Sequence, residues 1–385
     1  MSGKKKNRPQ TRRGPRQSGP PQPVAIRSSG DDALRSVLET AIAASGQVAR
    51  STHGFHTYPA GMHPDTAAAV IGACPGPVHD PFCGGGTVLV EAMLAGRDCS
   101  GTDVSPIALL VSQARVAGPE LASPLRSASR KLAAAAQLRV DVDIPEDCME
   151  WYQPHVAQEL GRLRDGIRDY DEAVQPLLRA VLSSILVKVS FRQSDTVNQR
   201  VTHHRPPGTT AILFHKKARE IARKIDESPA EGIVRLAMAD ARDQEPPADT
   251  ALVLTSPPYP GVYDYVPMQQ LRLAWLEIDA LDGKKAEIGS RRSFRSKGRM
   301  DALKRWREDT SEWISTQAGG LVSGGAMAIV VGDGLVGDKP VDTLSPTIES
   351  MRAAGLEIQA RASADRPDHA RQTIRTEHIV LARKG

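Results

Sequence analysis

The chain has 385 residues, 40% of them hydrophobic and 25% charged, with 4 cysteines and a formal net charge of +5. That length buries one large core or two smaller ones, and the composition is ordinary for a soluble protein. No apolar run reaches the roughly 18 residues of a membrane helix, and the basic start has no apolar stretch behind it to make a secretory signal. Cys74, Cys83, Cys99 and Cys148 lack the C-x-x-C spacing of a zinc or redox site, so free thiols in the cytoplasm and no bound metal are expected.

Residues 1–30 carry Lys4, Lys5, Lys6, Arg8, Arg12, Arg13, Arg16 and Arg27 and no acid. The segment is rich in Pro, Gly and Gln and has too little apolar surface to fold; it reads as a disordered basic tail drawn to phosphate. Residues 31–50 are predicted helical, with Asp31 and Asp32 at the start and Leu34, Val37, Leu38 and Ile42 on one face. A loop through Pro64 leads to a helix over 64–73. A strand at 77–80 then runs into Asp80-Pro81-Phe82-Cys83-Gly84-Gly85-Gly86-Thr87, a helix to about Ala95, and a second strand at 98–102 closed by Asp103.

The glycines let backbone approach a ligand, and the helix N-terminus behind them favours electronegative groups. An acid ending the second strand of such a βαβ unit holds ribose hydroxyls. The dinucleotide fingerprint is not met, because an acid precedes the glycines and Pro-Phe-Cys intervenes. No G-x-x-x-x-G-K-[ST] phosphate loop is present either.

Residues 118–230 read as mainly helical, with helices over 124–138, 156–170, 176–189 and 210–226 and a loop between the last two. The sheet resumes at 232–239 and 250–255. A helix near 267–280, a helix over 301–321, a strand at 326–331, a helix over 341–354 and strands at 356–363 and 377–383 complete the order. Between Lys284 and Arg307 ten cations face only Glu287 and Asp301. Positive charge is thus concentrated in this segment and the tail, and Arg291, Arg292, Arg295, Lys297 and Arg299 read as a strip that follows a phosphate backbone.

The run Thr255-Ser256-Pro257-Pro258-Tyr259 stops a buried strand with two prolines and places a stiff turn where open α/β sheets put their active sites. The run resembles the catalytic loop of amino-group methyltransferases, whose target, the exocyclic amine of cytosine or adenine, is a poor nucleophile because its lone pair is delocalised into the ring. Accepting hydrogen bonds from both N–H groups localises that pair. The Ser256 side chain and a proline carbonyl are two such acceptors, held by locked φ angles and extended preceding residues. Tyr259 adds a flat face for stacking.

Together these segments resemble the S-adenosylmethionine-dependent DNA amino-methyltransferases. Asp80–Thr87 is similar to their Asp-Pro-Phe-x-Gly-x-Gly-Thr motif, and Ser256–Tyr259 matches their Ser-Pro-Pro-Tyr in the form common in the N4-cytosine type. Tyr58-Pro59-Ala60 resembles their Tyr-Pro-Ala segment beside the methionine part of the cofactor, and Ala237–Arg242 their third-strand motif. The resemblance implies S-adenosylmethionine as cofactor, held by Tyr58, Pro59, Asp80, Pro81, Phe82, Cys83, Gly84, Gly86, Thr87, Asp103, Asp240 and Thr255. Asp80 is placed near the amino-acid end, Asp103 on the ribose and Asp240 on the adenine. Ser256, Pro257, Pro258 and Tyr259 are assigned to catalysis.

The implied fold is α/β, a seven-stranded class I (Rossmann-like) methyltransferase sheet. It is divided into a first cofactor-binding part over 31–117, a helical insert over 118–230 that is a candidate for substrate recognition, and a catalytic part over 231–385. The implied partner is nucleic acid, DNA ahead of RNA. A flipped or single-stranded nucleotide is required, because the amine inside a duplex cannot reach the cofactor. Two departures stand out. Gly85 replaces a common Ser, where only a small residue is expected to be needed, and more than a hundred residues separate Asp103 from Asp240. An RNA base methyltransferase, and a non-catalytic nucleic-acid-binding relative, remain alternatives.

Overall fold

The computed structural model describes residues 25–385 apart from 60, 198, 203, 229–231, 337–338 and 369–372. Its centre is a mixed sheet built on short buried strands. In chain order the strands are β1 (Ile26–Gly30), β2 (Val78–Asp80), β3 (Cys99–Asp103), β4 (Val234–Met238), β5 (Leu252–Thr255), β6 (Ala326–Gly332), β7 (Gly334–Val336), β8 (Lys339–Val341), β9 (Leu356–Asp368) and β10 (Thr373–Lys384). Eight of them order as β1-β9-β10-β6-β5-β2-β3-β4, while β7 and β8 pair separately as a small antiparallel ladder. From β6 to β4 all pairings are parallel, whereas β10, β9 and β1 are joined antiparallel.

This is the class I methyltransferase order with one strand added at the edge. The sheet has eight strands rather than the expected seven. The addition is β1, which lies in the last residues of the segment read as an unfolded tail. It pairs with β9 from Ile26 opposite Ala364 to Gly30 opposite Ala360. The rest of that segment, residues 1–24, lies outside the described residues.

Alternation along the strands fills two separate layers, because successive side chains point to opposite faces. Leu252, Leu254, Ala328 and Val330 meet Leu38, Ile42, Val70, Ile71 and Leu89 on one face. Val253, Met327, Ile329 and Val331 meet Trp306, Trp313, Ile314 and Met351 on the other. The covering helices are Asp32–Ala43, Pro64–Ala73 and Thr87–Leu94 on the first face, Arg299–Gly319 and Leu344–Ala353 on the second. A parallel sheet sandwiched this way needs strands apolar on both faces, which is what β5 and β6 show.

The helical insert does not form its own core. Leu125, Leu160, Leu178, Leu182, Phe214 and Ile221 from its helices bury together with Ile107 and Val111 of the helix Pro106–Arg115 and with Trp275 of the helix Gln270–Leu276. The insert is therefore welded to the helix Pro106–Arg115 on one side and to the segment after the Ser256–Tyr259 turn on the other.

Strand order reverses between β2 and β5. β2 leads on to β3 on one side and β5 to β6 on the other, so a crevice opens at the carboxyl ends of these central strands. Asp80 ends β2 and Thr255 ends β5.

Candidate active site

A cleft of about 920 Å3, its open mouth included, lies over that reversal point. Its walls include Tyr58, Pro59, Asp80, Pro81, Phe82, Cys83, Gly84, Thr87, Asp103, Asp240, Ser256 and Pro258. These come from five separate stretches of sequence, and the fold brings them to one place.

The turn after β2 is shaped for close approach. Gly84 and Gly86 adopt left-handed φ values of 48° and 77°, which other residues reach only with strain. The Tyr58 ring lies against Gly84, where a Cβ would come within 3.3 Å of Cε1. Gly85 is tighter than the small-residue rule suggested. A Cβ there would come within 3.0 Å of both the Tyr58 Cβ and Arg115 Nη1, so a serine fits only if a neighbour moves. Arg115, which sequence reasoning passed over, is buried and clamps the turn by donating to the carbonyls of Gly85 at 2.6 Å, His56 at 2.7 Å and His53 at 3.0 Å. Burial holds its guanidinium down to about 10.

The two central acids, Asp80 buried and Asp103 half-buried, are held in complementary ways. Asp80 Oδ1 accepts from the Thr255 hydroxyl at 2.6 Å and from Phe82 N–H at 3.1 Å, while Oδ2 takes no hydrogen bond among the described residues. Burial pushes its pKa up to about 7, with the Thr255 and Phe82 donors pulling the other way. Asp103 accepts from Gly84 N–H at 2.9 Å and Ser105 N–H at 2.8 Å, which ties the glycine turn to β3. Its pKa is raised to about 6, again by burial, opposed by those backbone donors. Both carboxylates would be relieved by a ligand that brings positive charge or hydroxyl donors.

Asp240 is held differently. Arg242 donates to both of its oxygens, Nε to Oδ1 at 3.0 Å and Nη2 to Oδ2 at 2.5 Å, and also reaches Asp309 at 2.6 Å and the Ala286 carbonyl at 3.2 Å. Burial works to raise the Asp240 pKa, but the Arg242 bonds outweigh it and the net shift is downward. Asp240 thus faces the cleft as a braced anion with its position set by Arg242.

The far wall was not anticipated. Tyr265, Val266, Gly283, Ala286, Glu287 and Ile288, all downstream of the Ser256–Tyr259 turn, line the same cleft. Gly283 is needed there because a Cβ would meet the Val104 carbonyl at 2.5 Å. Glu287 accepts from Tyr265 N–H and pairs with Arg292 at 2.6 Å, and Arg292 N–H also donates to Asp264 at 2.9 Å. The residues expected to form a phosphate strip therefore divide. Arg292 is spent inside the wall of the cleft, Arg291 donates to the Val262 carbonyl at 2.6 Å and Arg299 to that of Pro340 at 3.1 Å, while Arg295 is exposed.

In the Ser256–Tyr259 turn, Ser256 Oγ and Tyr259 Oη lie 3.2 Å apart. The Tyr259 ring packs on Gly332 at the end of β6, where a Cβ would come within 2.7 Å of Cε2. Ser256, Gly61 and Met62 belong both to the first cleft and to a second one of about 1090 Å3, which is also lined by His63, Tyr259, Tyr263, Arg366, Arg375 and Glu377. Arg366 and Glu377 pair across its rim at 3.3 Å. Ser256 thus stands in the partition between two clefts, with a titratable, polar rim on the outer side.

No protein-family model matches the chain. Over 70 residues it is 37% identical to Type II methyltransferase M.MvaI of Kocuria varians, a stretch that covers 17% of this chain and 15% of that protein. Among solved structures it is similar to TrmN from Thermus thermophilus, with TM-score 0.32 and 11% identity over 84% of this chain and 49% of that one. A SAM-dependent methyltransferase from Methanosarcina mazei gives TM-score 0.34 and 9% identity over 86% and 98% of the two chains. The rRNA methyltransferase aviRa from Streptomyces viridochromogenes gives TM-score 0.32 and 14% identity over 90% and 92%.

Proposed function

We propose that this chain transfers a methyl group from S-adenosylmethionine to the exocyclic amino group of a base in DNA, with N4 of cytosine as the favoured atom. The observation that carries the reading is the position of Ser256 between the two clefts. One cleft gathers Asp80, Asp103 and Asp240 beside apolar walls, as the cofactor needs, and the other opens onto the same serine from the side where a base would enter. The short likeness to a Type II methyltransferase agrees with it.

The residues present suit the cofactor. Asp80, whose Oδ2 takes no hydrogen bond among the described residues, fits in its ionised form the ammonium of the amino-acid end. Asp103 at the end of β3 fits the ribose hydroxyls, and Phe82, Ile288 and Val266 supply apolar walls. The sulfonium supplies an electrophilic methyl, so no metal and no strong base is required of the protein.

The protein's own contribution is placement. Ser256 Oγ and the Pro257 carbonyl accept the two amine N–H groups and localise the lone pair. Tyr259, fixed by Gly332 and by its contact with Ser256, orients the ring plane. Holding a reacting pair in line accounts for several kcal/mol of barrier on its own. The amine proton leaves to water after transfer.

A double substitution tests the assignment. Tyr259→Ala with Pro257→Ala is expected to abolish methyl transfer while cofactor affinity stays within about threefold, since neither residue lines the first cleft. Retained transfer would show that the catalytic turn lies elsewhere.

A further inference from the structure

A third cleft, of about 1330 Å3 with its open mouth, lies between the helical insert and the catalytic segment. One wall is Asp147, Glu150 and Trp151 of the insert, a second is Arg192 and Thr196 of the loop after the helix Gln175–Val189, and the third is Tyr263 and Arg291. Tyr263 also lines the cleft outside Ser256, so the two spaces adjoin through one aromatic side chain. Resting on the methyltransferase reading above, we propose that this third cleft holds the nucleotide next to the target base and reads its identity.

Its chemistry fits a base edge better than a phosphate. Asp147 and Glu150 are exposed acids without an ion pair among the described residues, and they would repel a phosphate while accepting from a base amino group. Arg192 and Arg291 supply donors on the opposite side, and Arg192 Nε is buried with no partner among the described residues. Trp151 and Tyr263 give flat faces at the two ends, the usual means of seating an unpaired base. A pocket with donors and acceptors facing each other distinguishes bases, whereas a strip of cations does not.

The walls are also held in advance. Arg272, buried under the cleft, pairs with Asp195 and donates to Gln269 at 2.9 Å and to the Ser183 carbonyl at 3.3 Å. Phe191 N–H donates to the Trp151 carbonyl at 2.7 Å, and Arg192 Nη2 to the Asp195 carbonyl at 3.0 Å. These bonds join loop and insert to the segment after Tyr259 and hold the walls in place before a base binds, which lowers the ordering cost of binding.

The test is methylation of single-stranded and duplex oligonucleotides randomised at the two positions on either side of a single target base, by wild-type chain, Glu150→Gln, Trp151→Ala and Trp151→Phe. Wild type is expected to prefer one base at one flanking position by about tenfold or more. Glu150→Gln, an exposed change that leaves the core alone, should shift which base is preferred. Trp151→Ala should flatten the preference to within about threefold, and Trp151→Phe should restore most of it, with cofactor affinity unchanged in all three. Identical flanking profiles in wild type, Glu150→Gln and Trp151→Ala would overturn the assignment while leaving the methyltransferase reading intact. Absence of transfer to any oligonucleotide by the wild-type chain would overturn both.

Discussion

The Thr255 hydroxyl donates to Asp80 Oδ1 across 2.6 Å, joining the ends of two strands that are 175 residues apart in sequence. The bond closes the reversal point of the sheet and leaves the second carboxylate oxygen of Asp80 for a ligand. It also sets the charge state of the site, because it is the main group opposing the burial that pushes Asp80 up to about 7.

Cofactor affinity should therefore depend on pH. Burial pushes the Asp80 carboxyl from its ordinary 3.8 up to about 7. A cationic ligand selects the ionised form, so binding near pH 6 must expel a proton. Affinity is expected to rise by up to about tenfold per unit from pH 5 to 7 and to level off above. For stability the sign is opposite. The raised pKa makes a contribution that is complete below about pH 4 and lost as pH rises through 7. Calorimetric titration in buffers of different ionisation enthalpy measures the released proton directly, and a flat affinity from pH 5.5 to 8 would contradict this role for Asp80. Thr255→Val should weaken binding at pH 7 by about tenfold or more, the usual worth of a hydrogen bond to a charge.

Gly332→Ala should act on catalysis at a distance from any ligand. The new Cβ would stand 2.7 Å from Tyr259 Cε2, so the ring must shift and take the Ser256 contact with it. A displacement of this size lowers turnover by about 100-fold. Cofactor affinity, measured by titration, should not change. Equal loss of both would place the effect in general unfolding.

Much of the cleft's lining was legible in sequence because its parts are local. The turn Asp80–Thr87 needs glycine at the left-handed φ of Gly84 and Gly86, and two prolines after β5 can hardly do anything but end a strand. The cofactor wall from Tyr265 to Ile288 was not legible. Its residues have no shared period, and Gly283 and Glu287 reach the cleft only because the insert and sheet position that segment. Arg292 was read as part of a phosphate strip for the same reason, since its partners Glu287 and Asp264 are set by tertiary folding. β1 escaped notice because an edge strand held by backbone pairing to β9 needs little apolar side chain, and Ile26 alone supplies it.

The division among the basic residues gives a salt experiment. Arg295→Ala should reduce the slope of log affinity for nucleic acid against log salt by somewhat under one unit if that side chain neutralises a phosphate. Arg292→Ala should leave the slope alone and instead lower cofactor affinity, because Glu287 loses its partner in the cleft wall. The reverse pattern would exchange the roles of the two arginines.

Arg272 and Asp195 form a pair with only 3% and 6% side-chain exposure. Removing one member leaves a buried charge, at a cost of about 3–5 kcal/mol. Arg272→Met is expected to destabilise the chain by that amount in chemical denaturation. Arg272→Met with Asp195→Leu should cost clearly less than the two single changes added together, since no charge is then stranded. Strict additivity would mean that the pair does not couple the loop to the catalytic segment.

The central claim, that Ser256 presents a base amine to a methyl donor, is met most directly by identifying the product. The purified chain would be incubated with tritiated S-adenosylmethionine and, separately, with duplex DNA, single-stranded DNA and total RNA, and each nucleic acid digested to nucleosides. Label in N4-methylcytosine from DNA is the expected result, and N6-methyladenine from DNA would keep the mechanism while changing the base. Label only in RNA would contradict the substrate assignment, and no label despite measurable cofactor binding would contradict the claim that Ser256 delivers a nucleic-acid amine.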